Sequence, residues 1–167
     1  FKENKNYVMA NNLNVEYLKD KVINLDSMLS EVRVFAPATV ANMICGFDIL
    51  GFAVEEPGDE VVMRRTQQPG VTIREITGDD GRLPLDPGKN TVSACVQYLL
   101  QALNISSKVG VEIELHKHMP IGSGLGSSAA STVAGLFAIN TMLGNPLSKE
   151  ELLPFCVEGE RLACGTG

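Results

Sequence analysis

The segment Pro120-Ile121-Gly122-Ser123-Gly124-Leu125-Gly126-Ser127-Ser128-Ala129-Ala130 joins the cleanest strand pattern in the chain to a long helical one. Upstream, Val109, Val111, Ile113 and Leu115 alternate with Gly110, Glu112, Glu114 and His116, the period of a strand with one buried face. Downstream, a helix is expected from Ser127 to about Leu143, stopped by Gly144-Asn145-Pro146. Three alternate glycines between such elements leave the loop free to take positive φ and let a ligand approach bare backbone. The helix start beyond them presents unpaired N–H groups and partial positive charge. Together these features make a cradle for phosphate. The plainer alternative is a glycine turn leading into a serine-capped helix.

The rest of the chain bounds the fold around that junction. Val32 to Ala36 alternates as a strand ended by Pro37, and Ala38 to Gly51 reads as a long apolar loop. Phe52 to Val54 reads as a short strand turned by Glu56-Pro57-Gly58. Asp59 to Thr66 and Val71 to Thr77 read as a strand pair around Gln68-Pro69-Gly70. Asn90 caps a helix to about Leu103, with Val92, Cys95, Val96, Leu99, Leu100 and Leu103 on one face. Ser148-Lys149-Glu150-Glu151 is a capping box for a last helix, which Pro154 should kink or delay. Several strands, a helix, a strand and then helices do not make the regular alternation of a doubly wound sheet. The expected class is α+β, a mixed sheet packed on helices. Residues 1–30, rich in Asn and Lys, read as an extension, frayed or non-native, in which 14–29 could form a weak amphipathic helix.

Composition removes several classes of function. A length of 167 residues with 44% hydrophobic content supports one domain with a sizeable core. The net charge of −6, without a basic stripe, argues against a nucleic-acid or anionic-membrane surface. No apolar run approaches a membrane span or a signal peptide. Four scattered cysteines without a C-x-x-C, and only His116 and His118 as imidazoles, argue against a structural zinc site and favour the cytoplasm. The two histidines, with Lys117 between them, read as a solvated strand end.

The glycine segment is not a P-loop, because no lysine follows its glycines. Counted from Gly124 it fits the alanine-ended dinucleotide fingerprint, but no second strand with an acidic end follows. It precedes a helix, unlike the strand-bridging loop of protein kinases. Pro-x-Gly-x-Gly-Leu-Gly-Ser-Ser-Ala-Ala between strand and helix resembles the phosphate loop of the GHMP small-molecule kinases, over the whole of 120–130. The resemblance implies the N-terminal half of that family's fold, ribosomal protein S5 domain 2-like, with ATP over Pro120 to Ala130. It also implies Mg²⁺ on the second serine, Ser128, although Ser127 and Ser128 equally suit N-capping.

A second motif, Ala36-Pro37-Ala38-Thr39-Val40-Ala41-Asn42-Met43-Ile44-Cys45-Gly46-Phe47-Asp48-Ile49-Leu50-Gly51, is similar to the signature of the homoserine-phosphorylating members of that family. It departs from the pattern at Met43-Ile44, where Leu-Gly is usual. By this resemblance Asn42 lies near the reacting hydroxyl of L-homoserine, and Asp48 pairs with its α-ammonium. Asp86-Pro87-Gly88-Lys89-Asn90 resembles a segment whose asparagine contacts adenine, although Asn90 serves equally as a helix N-cap. Glu158-Gly159-Glu160-Arg161 resembles the segment that supplies a carboxylate to Mg²⁺, which would be Glu160.

The implied catalytic set is Asn42, Ser128 and Glu160, and the implied reaction is ATP-dependent formation of O-phospho-L-homoserine, a step of threonine biosynthesis. A homodimer is a possible assembly. Residues 31–167 match only the N-terminal part of the family pattern. By the resemblance a second, ferredoxin-like half is expected outside these residues, and residues 1–167 alone are expected to bind nucleotide weakly and not to turn over. Another kinase of the same family and a non-catalytic nucleotide-binding module are the competing readings.

Overall fold

A computed structural model describes residues 16–41 and 49–164 of the chain, without the side chains of Glu16, Glu160, Leu162, Ala163 and Cys164. Four strands, β1 (Glu31–Ala41), β2 (Gly51–Thr66), β3 (Gly70–Thr77) and β4 (Gly110–His116), form one sheet in the order β1-β2-β4-β3. Helices α1 (Thr91–Ala102), α2 (Ser127–Met142) and α3 (Lys149–Cys164) complete the α+β domain. The β1–β2 and β2–β4 pairs are antiparallel, and β3 runs parallel to β4.

Burial explains why β4 is central. Val109, Val111, Ile113 and Leu115 are almost wholly buried and face the helices. The opposite face of the sheet carries charge. Arg64 pairs with Glu31 at 2.7 Å, Arg33 with Glu60 at 2.8 Å, and Arg74 with Glu114 at 3.3 Å. Such cross-strand pairs suit a solvated sheet face. Helix α2 lies across β1 and β2, and α1, α2 and α3 pack against one another. The α1–α3 approach is close because Gly159 faces Cys95. A Cβ at Gly159 would stand 2.3 Å from the Cys95 Cβ.

Three expectations about the strands need correction. Pro37 does not end the first strand, which continues to Ala41. Glu56-Pro57-Gly58 does not turn the chain, because β2 runs unbroken from Gly51 to Thr66 with a cis Glu56–Pro57 peptide. The reason lies in the ladder. Pro37 pairs with Gly58 and Thr39 with Ala53, so residues 54–57 bulge where the register shifts, and prolines are tolerated at such sites and on edge strands. Finally, β2 and β3 are not partners. β4 inserts between them, and its parallel pairing with β3 is made possible by the crossover through α1.

The helices follow the sequence more closely. Asn90 caps α1 by accepting from the Val92 N–H at 3.0 Å. The capping box of α3 closes both ways, with Glu151 N–H to Ser148 Oγ at 3.3 Å and Ser148 N–H to Glu151 Oε2 at 2.8 Å. Pro154 lies inside α3 without delaying its start. Between residues 16 and 30 the described chain forms two short 3₁₀ turns, Glu16–Asp20 and Leu25–Ser27, in place of an amphipathic helix. Leu18 and Met28 enter the core, Leu29 N–H donates to Met142 C=O at 3.0 Å, and Lys21 reaches Glu151 at 2.8 Å.

Candidate functional site

The glycine segment lies between the end of β4 and the start of α2, and its backbone takes the form that the residue types require. Gly122, Gly124 and Gly126 have φ of +78°, +76° and +71°. Left-handed residues at alternate positions turn successive N–H groups toward one concave side, the geometry of an anion nest. Gly126 is the N-cap of α2 and brings no side-chain cap. The first-turn N–H groups are therefore not covered by a capping side chain at that residue. Ala130 N–H bonds back to Gly126 C=O at 2.8 Å.

A cavity of ≈ 280 Å³ opens over this loop. Residues 120–128 form one wall, the start of α1 at Asn90 to Val92 forms another with Leu83, and Leu115, Lys117 and Ser131 border it below. The volume is near the lower end of the roughly 300–1,000 Å³ usual for ligand clefts. The structure thus brings together Asn90 and the loop residues Pro120 to Ser128. Ala129 and Ala130 lie in the first turn of α2 without bordering the cavity, and Ala130 packs into the core. Asn90 commits both ends of its amide to the protein, since Nδ2 also donates to Pro84 C=O at 3.2 Å. Ser128 is exposed at the cavity edge. The N-cap role that the sequence allowed for the two serines falls instead to Gly126.

The two sequence motifs meet through the edge strand. Thr39 N–H donates to Leu125 C=O at 3.0 Å, so the far edge of β1 is closed by the glycine loop. A Cβ on Gly126 would come within 2.4 Å of Thr39 Oγ1. Asn42 follows Thr39 by three residues; it and Asp48 lie outside the described residues, as does the side chain of Glu160. Its neighbour Glu158 is held by Arg161, whose Nε donates at 2.9 Å, and that guanidinium keeps the Glu158 carboxyl below its usual pKa. Among the described residues no group of three or more His, Cys, Asp or Glu could hold a metal ion, and no helix is long and apolar enough to cross a membrane.

Beneath the loop lies a network that the sequence reading missed. Lys117 is buried with a side-chain exposure of 4%, and Asp59 with 1%. The Lys117 ammonium donates to Asp59 Oδ2, to Ser131 Oγ at 2.6 Å and to Ser127 C=O at 3.1 Å. Asp59 also accepts from Ser127 Oγ at 2.7 Å, Ser131 Oγ at 3.2 Å, His118 N–H at 2.9 Å and Met119 N–H at 3.2 Å. Burial alone would raise the Asp59 pKa. The bonds from Lys117, Ser127 and the His118 N–H outweigh it and hold the carboxyl below its ordinary 3.8. The expected solvated strand end is therefore corrected at Lys117, while His118 is exposed and His116 shares a hydrogen bond with Thr77 Oγ1 at 2.9 Å. The signal was present in the parity of the strands. Lys117 continues the inward series 109, 111, 113, 115, and Asp59 begins the inward series of Val61 and Met63.

The GHMP kinases N terminal domain family matches residues 90–167, from the cap of α1 through the glycine loop, α2 and α3. Homoserine kinase from Chlorobium phaeovibrioides is 50% identical over 146 residues, which cover 83% of this chain and 46% of that protein. The chain is thus similar to homoserine kinases over most of its length and to the GHMP kinases through this domain. A crystal structure of homoserine kinase from Cytophaga hutchinsonii superposes with a TM-score of 0.79 at 61% identity, over 84% of this chain and 44% of that one. The mevalonate kinase of Methanococcus jannaschii shares the GHMP fold at a TM-score of 0.61 and 21% identity, over 80% of this chain and 47% of that one. The chain spans about half the length of the relatives it matches.

Proposed function

We propose that this domain holds the phosphates of ATP over residues 120–128 for transfer of the γ-phosphoryl group to the side-chain hydroxyl of L-homoserine. The observation that carries the reading is the run of left-handed Gly122, Gly124 and Gly126 against an α2 start that has no side-chain cap. The 50–61% identity to homoserine kinases over more than four-fifths of the chain supports the choice of acceptor. The fold alone does not choose it, since a mevalonate kinase shares the architecture.

In the transfer, the hydroxyl oxygen forms a bond to Pγ as the bond from Pγ to the β,γ-bridging oxygen breaks. ADP leaves and the hydroxyl proton passes to solvent. Such transition states are largely loose, so positioning and charge neutralisation carry most of the catalysis. The loop N–H groups serve the second purpose and also fix the nucleotide. Asn42 is assigned to the reacting hydroxyl, because an amide bonds a neutral alcohol without demanding a charge. Asp48 is assigned to the α-ammonium, where a carboxylate forms a charge-assisted bond.

The donor set also suits a hard cation. Ser128 stands exposed at the cavity edge, and a hydroxyl with a carboxylate is the kind of oxygen set that Mg²⁺ accepts beside phosphate oxygens. Ser128 and Glu160 are the residues assigned to hold it, and the ion would neutralise charge on the phosphate oxygens. The four cysteines, scattered without a C-x-x-C, support a cytoplasmic location.

The test is a coupled assay of ADP release by the full-length gene product with homoserine, mevalonate and galactose as acceptors. Turnover with homoserine well above the other two is expected. Equal turnover of all three, or preference for another alcohol, would replace the acceptor assignment.

A further inference from the structure

We propose that Asp59 and Lys117 are positioning residues that clamp both ends of the glycine loop and so hold its N–H groups in register for nucleotide phosphate. The inference rests on the phosphate-loop reading above and goes beyond it, because neither residue belongs to the motifs that support that reading.

The carboxylate of Asp59, supplied from β2, gathers the chain on both sides of the loop. On the entry side it accepts the N–H groups of His118 and Met119. On the exit side it accepts the hydroxyls of Ser127 and Ser131 in the first turns of α2. Residues 120–126 are thus pinned at each end to one buried group. Lys117 supplies the counter-charge and a third tie, donating to Ser127 C=O.

An ammonium has three protons, and those of Lys117 go to Asp59, Ser131 and Ser127. None remains for a phosphate, although Lys117 borders the cavity. Lys117 therefore acts through the loop rather than as a phosphate ligand. Its burial with Asp59 also makes the pair costly to separate, since either group alone would be an unpaired charge in the interior. A fixed donor array matters for phosphoryl transfer, where small displacements of positioned groups cost large factors in rate.

A purely electrostatic role predicts the opposite sign. Replacing the Asp59 carboxylate by an amide removes a negative charge beneath the site and should tighten ATP. Loosening the clamp should weaken it. In the full-length gene product, Asp59→Asn is expected to raise the ATP KM roughly ten- to a hundredfold, with the homoserine KM changed less than about twofold. Hydrogen exchange read by mass spectrometry should accelerate more in 119–128 than in β2 and β4, whose amides report only the overall loss of stability.

Should Asp59→Asn not fold, Ser127→Ala removes one tie at the loop exit, and Ser127→Thr, which keeps the hydroxyl, should restore both readouts. An unchanged or lowered ATP KM, or loop exchange equal to the unsubstituted protein, would overturn the clamp. Absence of ATP-dependent turnover in the unsubstituted protein would instead count against the phosphate-loop reading. The exchange comparison needs no nucleotide and decides the clamp in either case.

Discussion

Lys117 is buried because strand parity points it inward, and Asp59 meets it there with a carboxylate that accepts its hydrogen bond. Asp59 has a folded-state pKa below 3.8, so its stabilising effect is complete above the unfolded value and is lost as pH falls through the folded one. The urea midpoint should therefore fall as pH is lowered below about 4, and Asp59→Asn should flatten that limb. At neutral pH the same substitution leaves Lys117 as a buried unpaired charge and should cost on the order of 3–5 kcal/mol. A midpoint as pH-dependent in the variant as in the unsubstituted chain would refute the assignment. Asp48 is argued from its motif: Asp48→Asn should raise the homoserine KM far more than the ATP KM in the full-length gene product, and equal effects would remove it from the ammonium.

At the scale of elements, the loop and helix starts were legible because single residue types decide them. Three alternate glycines permit three left-handed residues, Asn90 provides a cap, and Ser148 with Glu151 closes a box. The order of strands was not legible. Local signals read β2 and β3 as neighbours, whereas β4, distant in sequence, takes the place between them. The prolines misled for a related reason, since their tolerance in β1 and β2 depends on a register shift that neither strand reveals alone.

The glycine loop also offers an internal control. Gly126→Ala places a Cβ in a left-handed site and against Thr39 Oγ1, whereas Gly144→Ala meets the same strain, at φ +84°, in open space at the far end of α2. Each should cost about 1–2 kcal/mol from backbone strain alone. That corresponds to a thermal shift of about 2–8 °C for a chain of this size. Only Gly126→Ala should also weaken ATP. Equal nucleotide affinity in the two variants would detach the loop from phosphate binding.

The whole molecule places its two motifs on either side of one hydrogen bond, Thr39 N–H to Leu125 C=O. That contact would let the proposed substrate motif near residue 42 and the proposed phosphate loop near residue 125 serve one reaction despite their separation in sequence. The proposed function stands or falls on where the phosphates sit. A crystal structure of the full-length gene product with Mg²⁺ and a non-hydrolysable ATP analogue tests it most directly. The expected result is β- and γ-phosphate oxygens within hydrogen-bond distance of the N–H groups of residues 123–128, with the metal on Ser128 Oγ and a Glu160 carboxylate oxygen. Phosphates bound elsewhere, with the glycine loop and the start of α2 bare, would contradict it.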